Sequence, residues 1–133
     1  MSSIEELAGP SQRPAVLIVE GEEVLRQAVA KTLRKNGFEV FEAADGSSAI
    51  DVLRADGDNI DVMLLDMTIP GAPSQEVIAE VVNARPNIKV VLTSAYDQKT
   101  IAGALSAPQI QNFIRKPFQL GDLLKILRSA LSS

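Results

Sequence analysis

The stretch Ile60-Asp-Val-Met-Leu-Leu-Asp66-Met-Thr-Ile-Pro70 sets the fold class. Its apolar run, Ile60 to Leu65, is short and bounded by turn-forming residues, so it reads as a buried strand that stops at an acid. Four further runs share this form: Val16–Val19, Phe38–Ala43, Ile88–Thr93 and Ile110–Ile114. Amphipathic stretches lie between them. Leu25, Ala28, Val29, Thr32 and Leu33 follow a helical stripe that Asn36-Gly37 stops. Ala49–Leu53 follows Asp45-Gly-Ser-Ser, Val77/Ile78/Val81/Val82 ends before Pro86, and Leu120/Leu123/Leu124/Leu127/Leu131 forms the last stripe. Between strands four and five, Lys99 to Leu105 predicts a short helix weakened by Gly103 and Ala107-Pro108. Strands alternating with helices at this spacing imply right-handed crossovers, a parallel sheet covered on both faces, and a three-layer α/β domain.

One such domain accounts for the 133 residues, of which 46% are hydrophobic, enough for a core without staples. Residues 1–14, which run through Pro10-Ser-Gln-Arg-Pro14 without period, read as a linker or cloning remnant, and 15–133 as the domain. The last stripe reaches Leu131, so no output domain is expected in this chain. Zero Cys and zero His exclude disulfides, thiolate zinc sites, cysteine nucleophiles and imidazole chemistry. A formal charge of −4 and 4% aromatic residues argue against direct binding of nucleic acid. No apolar run approaches a membrane span and the start lacks a signal peptide, so the expected location is cytoplasmic.

Open parallel sheets place ligands outside the carboxyl ends of their strands. There the chain sets Glu20 after strand one, Asp66 after strand three, Thr93-Ser94 after strand four and Lys116-Pro117 after strand five. Two carboxylates ~5 Å apart repel by ~3 kcal/mol at an effective dielectric of 20, which a divalent cation or the Lys116 ammonium relieves. A carboxylate nucleophile, a cation, an ammonium and a hydroxyl are the parts of a phosphoryl-transfer site.

In one register from Val16 to about Leu131, the chain resembles the receiver domain of two-component response regulators. Val16-Leu-Ile-Val-Glu-Gly-Glu resembles the acidic first loop, Leu64-Leu-Asp-Met-Thr-Ile-Pro70 the phosphoacceptor block, Leu92-Thr-Ser-Ala-Tyr96 the hydroxyl block, and Phe113-Ile-Arg-Lys-Pro-Phe118 the lysine block. The phosphoacceptor and hydroxyl segments look most like receivers appended to hybrid sensor histidine kinases. The resemblance implies a flavodoxin-like doubly wound sheet of five strands in the order 2-1-3-4-5. It implies Asp66 as phosphoacceptor, Ser94 and Lys116 as phosphoryl-binding groups, and Ser94 with Phe113 as the switch pair. Mg2+ would be held by Glu20, Asp66 and the Thr68 carbonyl. A cis bond between Lys116 and Pro117 is implied likewise. The domain would be a switch and not an enzyme in its own right. It would accept its phosphoryl group from a histidine kinase or histidine phosphotransfer protein and change an output surface on the fourth helix, fifth strand and last helix.

Two departures bear on these expectations. Family members carry a second acid after strand one, often the direct magnesium ligand, where this chain has Gly21; weakened Mg2+ binding is therefore expected. Pro73-Ser74 replaces the family's usual acid, Asn or Ser followed by Gly, which predicts an altered turn beside Asp66. The alternative reading is a pseudo-receiver, a binding module with weak or no Mg2+-dependent phosphorylation. A phosphatase of the haloacid dehalogenase type would need an acid at position 68, which is Thr. Lys116 is expected to be an exposed rim ammonium of little weight in folding.

Overall fold

A computed structural model describes residues 13–96 and 108–132. Its strands are β1 (Ala15–Val19), β2 (Glu39–Ala43), β3 (Val62–Asp66), β4 (Lys89–Ser94) and β5 (Ile110–Arg115). All neighbouring strands are parallel, in the order β2-β1-β3-β4-β5. This is the flavodoxin-like arrangement. The helices are α1 (Glu23–Lys35), α2 (Gly46–Asp56), α3 (Ser74–Ala84) and α4 (Leu120–Leu131). The stretch Lys99 to Leu105, expected to form a further helix, lies outside the described residues, as do 1–12.

Side chains alternate across each strand, so the sheet has two cores. Leu17, Met63, Leu65, Val90 and Leu92 face α2 and α3; Val16, Ile18, Val62, Leu64 and Val91 face α1 and α4. β1 and β3 are buried over their whole length because they lie inside the sheet with helices on both sides. The chain joins the sheet slightly before position 15: Pro14, assigned by its composition to the linker, accepts the Glu39 N–H at 2.9 Å.

α1 is rotated from its expected stripe. Val29, Ala30 and Leu33 are buried, whereas Ala28 is exposed and Leu25 half-buried. The rotation turns Arg26 inward, with only 15% of its side chain exposed, because Glu42 on β2 pairs with its Nε at 3.2 Å. α2 is capped by Asp45, which accepts the Ser48 N–H at 2.7 Å; this bond holds the Asp45 carboxyl below its ordinary range. In α4, Leu123 and Leu127 of the predicted stripe are buried together with Ala130, which the stripe left out, while Leu120, Leu124 and Leu131 are half-buried.

The loop after β3 takes its positive φ at Gly71 (79°), and no residue other than glycine has positive φ among the described residues. Ser74 therefore needs none of glycine's freedom. Pro73 caps α3 with extended backbone, and Ser74 starts the helix with its hydroxyl donating to the Asp66 and Met67 carbonyls at 3.2 and 3.1 Å. Beside this loop, Gly46 donates its N–H to the Pro70 carbonyl at 2.9 Å. A Cβ at Gly46 would stand 1.8 Å from the Ala72 carbonyl oxygen, so this position accepts only glycine without movement.

Candidate functional site

The carboxyl ends of β1, β3 and β5 converge on one ammonium. Lys116 Nζ lies 2.7 Å from Glu20 Oε1 and 3.0 Å from Asp66 Oδ2. Glu20 and Asp66 are 5% and 4% exposed, so their charges are shielded from water and the ammonium is their main compensation. Burial by itself would lower the Lys116 pKa; hydrogen bonds and charge attraction from Glu20 and Asp66 outweigh it and hold the ammonium above its ordinary value. The expectation of an exposed rim charge is corrected: the Lys116 side chain is 19% exposed, because it has to lie across the sheet end to reach β3. The Lys116–Pro117 bond is cis, as the resemblance implied.

Each carboxylate is fixed from both sides. Asp66 Oδ1 accepts the Thr68 N–H at 3.0 Å and the Thr68 hydroxyl at 3.1 Å, while Ser74 ties down the Asp66 carbonyl. Glu20 Oε2 accepts the Glu22 N–H at 2.9 Å. The Glu20 N–H donates to the Ala43 carbonyl at 3.0 Å, and its own carbonyl accepts from Arg26 Nη1 at 2.9 Å. Sequence reasoning missed Arg26 and Ser74 as supports. Arg26 sits on a helix face that periodicity assigned to solvent, and Ser74 resembles an ordinary turn residue; neither carried a legible signal.

Ser94 and Phe113 do not reach Asp66 in this structure. Ser94 is fully buried at the end of β4, and its hydroxyl oxygen accepts the Tyr96 N–H at 3.0 Å. Phe113 lies in register with Leu92, half-buried against the α2/α3 core, on the sheet face opposite Asp66. Thr93, the residue before Ser94, is a further polar side chain at the sheet end, in register with Asp66.

The oxygens at the sheet end that could hold Mg2+ are the Glu20 and Asp66 carboxylates, to which the resemblance adds the Thr68 carbonyl; all are hard donors. No cluster of three or more acidic, His or Cys side chains occurs among the described residues. Such a set fits Mg2+, which binds through one or two carboxylates and keeps several waters. Gly21 adds no ligand, but it leaves little space for one: a Cβ there would lie 3.2 Å from Pro70 Cδ and 3.4 Å from the Ala44 carbonyl oxygen. The proline ring has to give by a few tenths of an ångström. Gly21→Asp is expected to tighten Mg2+ binding by on the order of tenfold through the added charge. Paired calorimetric titrations check this, and equal affinities would show that Gly21 is not the weak point.

Comparison with known proteins agrees with this arrangement. The sequence profile of the response regulator receiver domain matches residues 16–128. A cyclic di-GMP phosphodiesterase of Thermotoga maritima is 33% identical over 111 residues, covering 84% of this chain and 29% of that protein. The sensor kinase CckA of Brucella abortus is 28% identical over 128 residues, covering 96% of this chain and 14% of the kinase. The chain thus spans less than a third of either relative. Among solved structures, the receiver domain of the hybrid histidine kinase CckA superposes with a TM-score of 0.75 at 26% identity, covering 88% of this chain and 98% of that one. With the strand order, the convergent ends and the profile in agreement, the chain belongs to the response regulator receiver domain family of two-component signalling.

Proposed function

We propose that Asp66 accepts a phosphoryl group from a phosphohistidine on a histidine kinase or phosphotransfer protein. The observation that carries this reading is the single ammonium of Lys116 shared by Glu20 and the strand-end carboxylate of Asp66. An Asp66 carboxylate oxygen forms a bond to phosphorus as the bond from phosphorus to the imidazole nitrogen breaks. The electron pair leaves with the imidazole, which takes a proton from water. Thr68 orients the carboxylate through its two hydrogen bonds to Oδ1, and Lys116 offsets charge on the phosphoryl oxygens. Glu20, Asp66 and the Thr68 carbonyl would hold Mg2+, which supplies neutralisation of charge at the phosphoryl group when bound.

A mainly apolar groove of 540 Å3 opens next to Lys116, lined by Val24, Leu25, Ala28, Pro117 and Phe118 among others. Val24 is 78% exposed at its rim, which suits a helical phosphodonor partner approaching Asp66 from the α1 side. After transfer, Ser94 and Phe113 act as the switch pair and alter an output surface that includes β5 and α4. The helix expected over Lys99 to Leu105, which belongs to that surface as well, falls outside the described residues. No helix among the described residues is long and apolar enough to cross a membrane; the proposed location is the cytoplasm.

Gly21 favours a second reading, a pseudo-receiver that binds partners with little phosphorylation, since it removes a metal ligand. Incubation with acetyl phosphate and Mg2+ followed by intact mass measurement separates the two. Gain of one phosphoryl group supports the phosphoacceptor; no gain over a range of Mg2+ concentrations supports the pseudo-receiver.

A further inference from the structure

Three buried side-chain atoms among the described residues have no hydrogen-bond partner: Arg85 Nε, Gln109 Oε1 and Thr93 Oγ1. Arg85 and Gln109 lie at the opposite ends of the strands, after α3 and before β5. Thr93 is different. It is 2% exposed, in register with Asp66 on one side and Ile114 on the other. Val91 and Ile114 belong to the α1/α4 core, so the side chain at position 93 lies on the sheet face that carries Asp66. Lys116 starts two residues beyond Ile114, and its ammonium meets Asp66 on β3. Since β4 separates β5 from β3, the lysine stem has to cross the end of β4 on the face that carries Thr93, one step beyond it at Ala95, before its ammonium meets Asp66 beside Thr93.

An unpartnered buried hydroxyl is costly, and valine would fill the same volume without that cost. The ammonium of Lys116 has three N–H donors, of which Glu20 and Asp66 take two. We propose that Thr93 is a positioning residue for Lys116. As a phosphoryl group enters between the ammonium and Asp66, the ammonium leaves Oδ2, and the Thr93 hydroxyl receives one of its N–H groups. The remaining donors then stay aimed at the phosphoryl oxygens. This inference rests on the phosphoacceptor reading of Asp66 and adds a residue to it.

The test compares wild type, Thr93→Val and Thr93→Ser for urea midpoint and for initial rate of labelling by acetyl phosphate at saturating Mg2+. Thr93→Val is expected to unfold at the same or higher urea and yet to label about tenfold more slowly, the loss of one hydrogen bond to a charged donor. Thr93→Ser, which keeps the hydroxyl and loses a methyl, is expected to label near the wild-type rate in spite of lower stability. A packing defect cannot move rate and stability in these opposite directions. Wild-type labelling by Thr93→Val, equal slowing in both variants, or a lower urea midpoint for Thr93→Val would each overturn the proposal. If the wild type takes up no phosphoryl group, the phosphoacceptor reading falls and this inference with it; labelling of the wild type matched by Thr93→Val fells this inference alone.

Discussion

Asp66→Asn is expected to lose at least roughly a hundredfold in labelling by acetyl phosphate while keeping its fold, since an amide oxygen is a far weaker nucleophile than a carboxylate. The amide oxygen still accepts from the Thr68 N–H and hydroxyl, so the loop after β3 keeps its anchor. The amide nitrogen, by contrast, meets the Lys116 ammonium donor to donor, leaving Lys116 its bond to Glu20. Circular dichroism unchanged from wild type together with an absent mass gain is the predicted pair of results. Labelling at the wild-type rate would move the acceptor to another carboxylate.

The second large effect concerns Lys116→Ala. Removing the ammonium leaves two buried carboxylates facing each other without compensation. Breaking a buried pair costs about 3–5 kcal/mol; with water reaching a side chain that is 19% exposed, a loss of about 2 kcal/mol at neutral pH without divalent cation is expected. The pH dependence follows from the ammonium. The wild-type ammonium is held above its ordinary pKa of 10.5, so its contribution is fully present below that value and is lost as pH rises through the raised one. Wild type should therefore lose stability in strong alkali where the variant, having no such group, does not. Urea melts from neutral pH into alkali check this, and equal midpoints at neutral pH would show that the two carboxylates do not need the ammonium.

Much of the fold was legible in the sequence alone. Short apolar runs ending in Glu20, Asp66, Ser94 and Lys116 carried the fold and placed Glu20, Asp66 and Lys116 at one edge, because strand-end position is a local property of sequence. Strand order came only through the resemblance, since spacing does not distinguish one parallel order from another. The burial of Lys116 was illegible because it arises from two carboxylates on other strands. The rotation of α1 was illegible for a similar reason. Arg26 is polar by type and turned inward by Glu42, a partner sixteen residues away. At Pro73-Ser74 the local rule misplaced the turn: the positive φ belongs to Gly71, and Ser74 works instead as a tie to the end of β3.

The seat of Gly46 under Ala72 bears on how the sheet comes apart. β2 is an edge strand, and such strands ordinarily fray from either end. Here its carboxyl end is clasped twice, by Glu20 N–H on the Ala43 carbonyl and by Gly46 N–H on the Pro70 carbonyl. Peeling β2 from that end would drag the loop bearing Thr68 and Pro70 with it. The outermost strand is thereby fastened to the Asp66 loop two strands away, and local unfolding of this edge and disassembly of the corner that holds Asp66 and Lys116 become one event.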